Sequence, residues 1–436
     1  MSARETALNV LIACRREDAW ANGVLKEYIR RDKLDRRDAA LAARLCYGVL
    51  QNKARLDFYL RQLLTGKLKD LHPAIQDILR LGLYQIYGMD KIPDSAAVNE
   101  SVVLAKKYCR NPKAAGLVNG VLRNALRTKG TLKEPTAPED KYSHPRKLID
   151  LLRGYVGKER LEAMLQANNA SAPVTVQVNT RKITGEELAS VLEREGVKAA
   201  PHSWMQDCFD ISGTGDLEQL ESFQKGLFYV QDPAAKLSIL CAGVTEGDRV
   251  LDCCAAPGGK SFAAAISMKD TGAVTSCDIH YHKTGLIENG ARRLGLESIR
   301  VRLQDATAAC EEWAGQMDVV LADVPCSGYG IIRKKPDIRY KDPDTMKELP
   351  GLQLKILKQQ ASYVKPGGVL LYSTCTLVRA ENEGVVEAFL RENPDFAPEP
   401  LPLPGVFPVN TTGMLTLVPG EYDTDGFFIC RLRRKA

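Results

Sequence analysis

Val250-Leu-Asp-Cys-Cys-Ala-Ala-Pro-Gly-Gly-Lys260 is the stretch on which the fold turns. It opens on apolar, strand-like residues. Pro257, Gly258 and Gly259 break the strand, and a helix-compatible run follows from Lys260. Strand, Gly-rich turn and helix in that order begin a doubly wound α/β sheet, whose ligands sit at the C-terminal ends of the strands. Gly258 and Gly259 let the backbone approach such a ligand closely. The run continues Gly-Gly-Lys-Ser but is not a phosphate loop: Gly258 is too near Lys260, and no glycine stands further upstream in the loop. Standing alone, it could equally be a plain strand–helix turn.

It does not stand alone. Candidate strands lie at Arg249–Cys253, Ala273–Asp278, Ile299–Leu303, Asp318–Ala322, Val369–Ser373 and Phe427–Leu432, with helical segments between most of them. This is the alternation of a mostly parallel sheet. Asp278 ends the second strand, where an acidic residue takes the ribose hydroxyls of a nucleoside cofactor. Asp305 follows the third strand, placed to face an adenine amino group, and Asp323 follows the fourth. Each alone is an ordinary turn or cap residue. Three at successive strand ends point to a shared ligand. Two cysteines also follow strands: Cys326 in Asp323-Val-Pro-Cys-Ser-Gly328 and Cys375 in Tyr372-Ser-Thr-Cys-Thr376. Buried packing is the plain reading of a cysteine, but loops after strands are exposed more often than strand interiors.

Upstream, the character changes twice. Residues 142–235 read as a small α+β module. Helices at Pro145–Tyr155 and Lys158–Asn168 precede an alternating strand, Val174–Thr180. A helix over Thr184–Glu195 and short strands near Cys208–Ile211 and Leu227–Val230 follow. Residues 1–127 carry apolar residues at helical spacing, such as Leu41, Leu45 and Val49, then Ile75, Ile78 and Leu79, so this part is all-α. Residues 128–141 have linker composition. Residues 1–140 hold 25 Lys and Arg against 16 Asp and Glu, a net +9, while the remainder of the chain is −3. A basic helical domain is either a solvated surface or a nucleic-acid footprint. The segment Ile332-Arg-Lys-Lys-Pro-Asp-Ile-Arg-Tyr-Lys341 brings five more cations just after Gly330, beyond the Cys326 loop, where contact with nucleic-acid phosphates is expected.

The 436 residues are 44% hydrophobic and 26% charged, the composition of a globular chain of several domains. No apolar run approaches the roughly 20 residues that span a membrane. The first 20 residues, with Glu5, Arg15, Arg16, Glu17 and Asp18 among spaced apolar residues, read as an amphipathic helix and not as a signal peptide. A cytoplasmic location is expected, with the twelve cysteines reduced. There is no Cys-x-x-Cys pair and the five histidines are dispersed, so no metal site is expected. Cys14, Cys46, Cys109, Cys208, Cys241, Cys277, Cys310 and Cys430 are read as small hydrophobes.

The set CAAPGGK, DVPCSG and YSTCT resembles the Nop2/Sun family of RNA cytosine-C5 methyltransferases. Residues 1–127, with Ala114-Ala-Gly-Leu-Val-Asn-Gly-Val-Leu-Arg-Asn124, resemble a NusB-like RNA-binding domain. Leu227-Phe-Tyr-Val-Gln-Asp-Pro-Ala-Ala235 resembles the run that precedes the family's catalytic domain. The resemblance covers the whole chain and implies three domains. These are a NusB-like helical domain over 1–130, a small α+β RNA-binding module over 142–235, and a Rossmann-like class I methyltransferase domain over 236–436. One departure is Cys253, where many members carry an apolar residue.

The resemblance implies S-adenosyl-L-methionine as cofactor and S-adenosyl-L-homocysteine as product. The cofactor would be held by Cys254, Ala255, Ala256, Pro257, Gly258, Gly259, Lys260, Asp278, Asp305 and Asp323. Methylating C5 of cytosine calls for covalent catalysis, in which a thiolate adds to C6 so that C5 can accept the methyl group. Spacing alone leaves Cys326 and Cys375 both open as that thiol. DNA cytosine-C5 methyltransferases use a Pro-Cys at the fourth strand, whereas the resemblance implies Cys375 as nucleophile. Cys326 would then assist release of the product, and Asp323 would lie beside the base. Lys260 either orients an acid or simply opens its helix. The three-part arrangement resembles the bacterial members that act on 16S (small-subunit) rRNA, implying unassembled or partly assembled small subunits as substrate for a monomeric enzyme. A tRNA cytosine-C5 methyltransferase and a non-catalytic NusB-like RNA-binding factor are the alternatives.

Overall fold

Ser2 opens the first helix, its hydroxyl accepting the Glu5 amide at 3.3 Å, and Asp35 caps the long helix Arg36–Leu63 in the same way through the Asp38 amide at 2.8 Å. Such caps satisfy amides that have no partner inside the helix. The structure, a computed structural model, describes residues 1–17 and 19–436; Asp18 lies outside the described residues. It resolves into two compact units.

The first unit comprises Met1–Ala170 together with Ile332–Pro343. Helices Ala3–Arg16, Ala21–Arg31, Arg36–Leu63, Pro73–Gly88, Asp94–Tyr108 and Lys113–Arg127 enclose one apolar core that includes Leu8, Leu45, Leu60, Ile78, Leu83 and Leu122. No strand forms here among the described residues, as the helical periodicity predicts. Gly48 permits the tightest approach: a Cβ there would lie 2.0 Å from Tyr84 Cζ of the neighbouring helix. Helices Arg146–Val156 and Lys158–Ala167 complete the unit.

In the segment Ile332–Pro343, two of the five cations expected to face RNA turn inward, while Lys334 and Lys335 are exposed. Arg339 is 1% exposed and Lys341 8%. The Arg339 guanidinium donates to Gln51 O at 3.0 Å, Asn169 Oδ1 at 2.9 Å, Ser143 O at 3.3 Å and Asn168 O at 3.4 Å. Tyr340 OH donates to Leu50 O at 2.7 Å, and Asp337 accepts the Ala21 amide at 3.0 Å. Burial draws the Arg339 pKa down to about 10. A planar five-donor fork suits a nest of carbonyl oxygens, so here the cation serves internal packing.

The second unit comprises Ser171–Ile331 and Asp344–Ala436. Its smaller sheet is antiparallel, in the order β2-β3-β1-β4, from β1 (Val174–Val178), β2 (Lys198–Pro201), β3 (Cys208–Ser212) and β4 (Phe228–Val230). Helix Gly185–Arg194 packs on it behind a capping box of Thr184 and Glu187. The sheet is tied to the larger part of the unit through Asn179, whose amide donates to Leu294 O at 2.9 Å. Gly226 also contributes, since a Cβ there would lie 2.0 Å from Arg293 O.

The larger sheet has eight strands: β5 (Arg249–Asp252), β6 (Ala273–Asp278), β7 (Ile299–Leu303), β8 (Met317–Asp323), β9 (Val364–Thr374), β10 (Phe396–Pro398), β11 (Met414–Leu417) and β12 (Phe427–Arg434). The order is β10-β12-β9-β8-β5-β6-β7, with β11 on β12. The pairs from β9 through β7 are parallel, and β12 is antiparallel to its neighbours. Successive residues of a strand face opposite layers. Val250 and Val319 meet helices Gly259–Ser267 and Tyr281–Leu294, whereas Leu251 and Val320 meet Leu349–Ala361 and Glu383–Glu392. The winding reverses between β5 and β8, and the crevice at such a reversal is where ligands bind in sheets of this kind. Of the cysteines read as small hydrophobes, Cys46, Cys208, Cys241, Cys277 and Cys430 are buried, and Cys14, Cys109 and Cys310 are partly exposed.

Candidate active site

The turn after β5 carries the first group of residues. The Cys253 amide still pairs with Leu321 O of β8 at 3.1 Å, and the Ala255 amide with Cys277 O of β6 at 2.8 Å, so the turn stays pinned to both neighbouring strands. Cys254, Ala255, Ala256 and Pro257 then lead to Gly258, at φ +114°. A Cβ on Gly258 would lie 2.3 Å from Phe262 Cζ, so both conformation and space demand glycine. Gly259 begins the helix, with Gln231 against its open side.

Lys260, one residue on, reaches Asp323 at the end of β8: Nζ to Oδ2 is 2.8 Å. The other Asp323 oxygen accepts Ser373 Oγ at 2.8 Å. Desolvation pulls the Lys260 pKa down, and the Asp323 carboxylate more than offsets it, leaving the ammonium above the ordinary lysine range. Asp323 is thus oriented from two sides. Asp252, buried at the end of β5, accepts Ser261 Oγ at 2.7 Å, which in turn accepts Ser276 Oγ at 2.7 Å. Burial pushes the Asp252 carboxyl up to about 6.

Asp278 ends β6, is 7% exposed, and accepts the His280 amide on Oδ1 at 2.9 Å. Asp305, beyond β7, accepts both the amide and the hydroxyl of Thr307 on Oδ1 at 2.8 Å. These bonds, the amide's first, hold its carboxyl below the usual range. In each acid one oxygen is committed to its own turn.

Cys326 follows β8 and Cys375 follows β9, two adjacent parallel strands, and their Sγ atoms stand 3.3 Å apart. The Gly330 amide donates to Cys375 O at 2.9 Å, and a Cβ on Gly330 would lie 2.0 Å from Gly426 O. The hydrogen bond to Cys375, then burial, hold the Cys326 thiol well above the ordinary thiol range. A paired, partly exposed couple of thiols at strand ends can supply a nucleophile and a second acid–base group.

The residues missed by sequence reasoning are Asp252 and Ser373, and the four residues Ser327, Thr376, Gln353 and Glu381, which hydrogen-bond one another around the two cysteine loops. Asp252 and Ser373 lie inside the quoted motifs, so proximity was a usable signal. Gln353 and Glu381 come from outside them and are ordinary surface residue types by sequence.

Residues 240–433 match the family described as 16S rRNA methyltransferase RsmB/F, residues 1–127 the NusB family, and residues 144–218 the RsmF/B-like methyltransferase ferredoxin-like domain. Over 100% of its length the chain is 38% identical to a Bacillus subtilis protein named probable ribosomal RNA small subunit methyltransferase B, covering 99% of it. It is 34% identical to the Vibrio cholerae ribosomal RNA small subunit methyltransferase B, over 92% of this chain and 90% of that one. Among solved structures, that of PH0851 shares the fold over 100% of this chain and 99% of its own, with a TM-score of 0.81 at 24% identity. A methyltransferase homologue from Pyrococcus horikoshii matches 68% of this chain and 97% of its own, with a TM-score of 0.58 at 26% identity. The chain therefore belongs to the ribosomal RNA small subunit methyltransferase B family.

Proposed function

We propose that this protein transfers a methyl group from S-adenosyl-L-methionine to C5 of a specific cytosine in 16S rRNA, through a covalent bond between Cys375 and C6 of the base. The observation that carries the reading is the Cys326–Cys375 pair, 3.3 Å apart beside the oriented Asp323. The names of the relatives supply the substrate class.

The cofactor fits the residues present. Gly258, at φ +114°, gives the turn a backbone conformation that side-chain-bearing residues rarely adopt. Asp278 keeps Oδ2 for the ribose hydroxyls, Asp305 offers a carboxylate oxygen to the adenine amino group, and Cys254 to Lys260 line the turn. When bound, the cofactor supplies an electrophilic methyl group. Cys375 adds to C6 as thiolate, which makes C5 nucleophilic. Asp323, held by Lys260 and Ser373, would lie beside the base. Cys326 in its thiolate form takes the C5 proton; the electron pair of that C–H bond restores the C5–C6 double bond as Cys375 leaves as thiolate. A thiol with a raised pKa is the stronger base once ionised.

Residues 1–130 and 142–235 are assigned to RNA binding, and residues 236–436 to catalysis. The target base leaves any stack to reach the thiol. None of the described helices is long and apolar enough to cross a membrane, and the enzyme is proposed to act in the cytoplasm, as a monomer, on unassembled or partly assembled small subunits. The test is incubation with methyl-labelled cofactor and, separately, 16S rRNA, tRNA and 30S particles, followed by nucleoside analysis. Label in 5-methylcytidine of free 16S rRNA is expected. Label confined to tRNA, or in another nucleoside, would overturn the reading.

A further inference from the structure

Glu381 is a carboxylate 2% exposed, in the turn between β9 and helix Glu383–Glu392. Its partners are neither lysine nor arginine. Oε2 accepts the Ser327 amide at 2.9 Å and Gln353 Nε2 at 2.9 Å; Oε1 accepts Ser327 Oγ at 2.6 Å. Gln353, fully buried, also donates to Pro325 O at 2.9 Å. The residues on either side of Cys326 are therefore held by one carboxylate and one amide. Ser327 Oγ lies 2.7 Å from Thr376 Oγ1, so the residue following each cysteine is joined to the other. Tyr372 OH, from β9, donates to Glu381 O at 2.5 Å.

Burying a charged carboxylate among neutral donors is costly unless its hydrogen bonds are complete. An amide side chain or a hydrophobe would tie a loop at less cost. The charge has a second consequence: it stands beside Cys326, whose ionisation it opposes. We propose that Glu381 is the positioning residue of the thiol pair: through Ser327, Gln353 and Thr376 it fixes the Cys326 loop against the Cys375 loop, and it sets a negative charge beside Cys326. The proposal rests on the reading of Cys375 as nucleophile and Cys326 as the group assisting product release. The other titratable groups facing the pair are Asp323 from β8, Tyr372 from β9 and Lys260 from the helix after β5. Of these, Tyr372 also feels the Glu381 charge and is relieved with Cys326 when that charge is removed.

The test uses Glu381→Gln, which keeps shape and removes charge, with Glu381→Asp as the conservative variant and Ser327→Ala as a separate break in the network. In a Cys375→Ser background, the rate of Cys326 alkylation by iodoacetamide is followed against pH by peptide mass spectrometry. Loss of the like charge is expected to lower the midpoint. With Cys375 intact, Glu381→Gln is expected to slow turnover at least tenfold with little change in KM for RNA and to accumulate protein–RNA adduct, while Glu381→Asp recovers part of the rate. If Glu381→Gln does not fold, slowed turnover with accumulated adduct in Ser327→Ala supports the network, and wild-type turnover in Ser327→Ala overturns it. An unchanged alkylation midpoint overturns the proposal even if activity falls, since a structural defect alone lowers activity. Failure of the underlying reading is told apart by Cys375→Ala, which would then still methylate RNA.

Discussion

Lys260 Nζ stands 2.8 Å from Asp323 Oδ2, joining the Gly-rich turn after β5 to the end of β8 at the reversal of the sheet's winding. Both side chains are largely shielded from water. Removing one partner strands the other's charge. Lys260→Met is expected to cost about 2 kcal/mol in urea unfolding, the buried-pair value discounted for the partial exposure of Asp323. It is also expected to reduce kcat/KM at least 100-fold. The double variant Lys260→Met with Asp323→Asn should recover the stability and none of the activity. Equal instability in the single and double variants would mean that the pair does not carry the coupling.

Gly258→Ala forces a side chain into φ +114° and to within 2.3 Å of Phe262 Cζ. A loss of about 2 kcal/mol is expected, with at least tenfold weaker cofactor binding by calorimetry. Gly116, the fourth residue of helix Lys113–Arg127 with open space around it, is the control. Gly116→Ala should stabilise by up to about 1 kcal/mol.

Asp252 gives a pH prediction. Its folded carboxyl, pushed to about 6 by burial, binds a proton more readily than in the unfolded chain. Stability from this group is therefore present below about pH 4 and is lost as pH rises through 6. The shift of roughly two units corresponds to about 3 kcal/mol. Asp252→Asn keeps an acceptor for Ser261 and removes the titration. Relative to wild type, the variant should gain about that amount between pH 4 and pH 7.5 in urea unfolding. A pH-independent difference would contradict the assignment.

Arg339→Leu would leave the carbonyls of Gln51, Ser143 and Asn168 short of a donor. Stranded buried acceptors make a loss of about 3 kcal/mol the expected cost. Hydrogen exchange should rise around residues 51, 143 and 168. Arg339→Lys should recover little, since an ammonium cannot span the same acceptors. Wild-type exchange in Arg339→Leu would show that the anchor is dispensable.

Much of this architecture was legible in the sequence because local rules and packing agree. The six strands around Val250–Lys260 alternate faces as their apolar residues demand, and Asp278, Asp305, Cys326 and Cys375 follow strands as expected. Strands Lys198–Pro201, Phe396–Pro398 and Met414–Leu417 went unseen; each is short and paired at an edge or to β12, where partner strands rather than intrinsic pattern decide. Arg339 reads as a solvated cation because one sequence cannot show which carbonyls will converge on it. Glu381 was invisible for the same reason: its partners lie 28 and 54 residues away in the chain.

The most direct measurement concerns the two thiols 3.3 Å apart. Wild type, Cys326→Ala and Cys375→Ala are each incubated with cofactor and unmodified 16S rRNA, then resolved under denaturing, reducing conditions. An adduct that accumulates with Cys326→Ala, carries Cys375 in the RNA-linked peptide and is absent from Cys375→Ala is the predicted result. An adduct that persists in Cys375→Ala and is lost in Cys326→Ala would contradict the account.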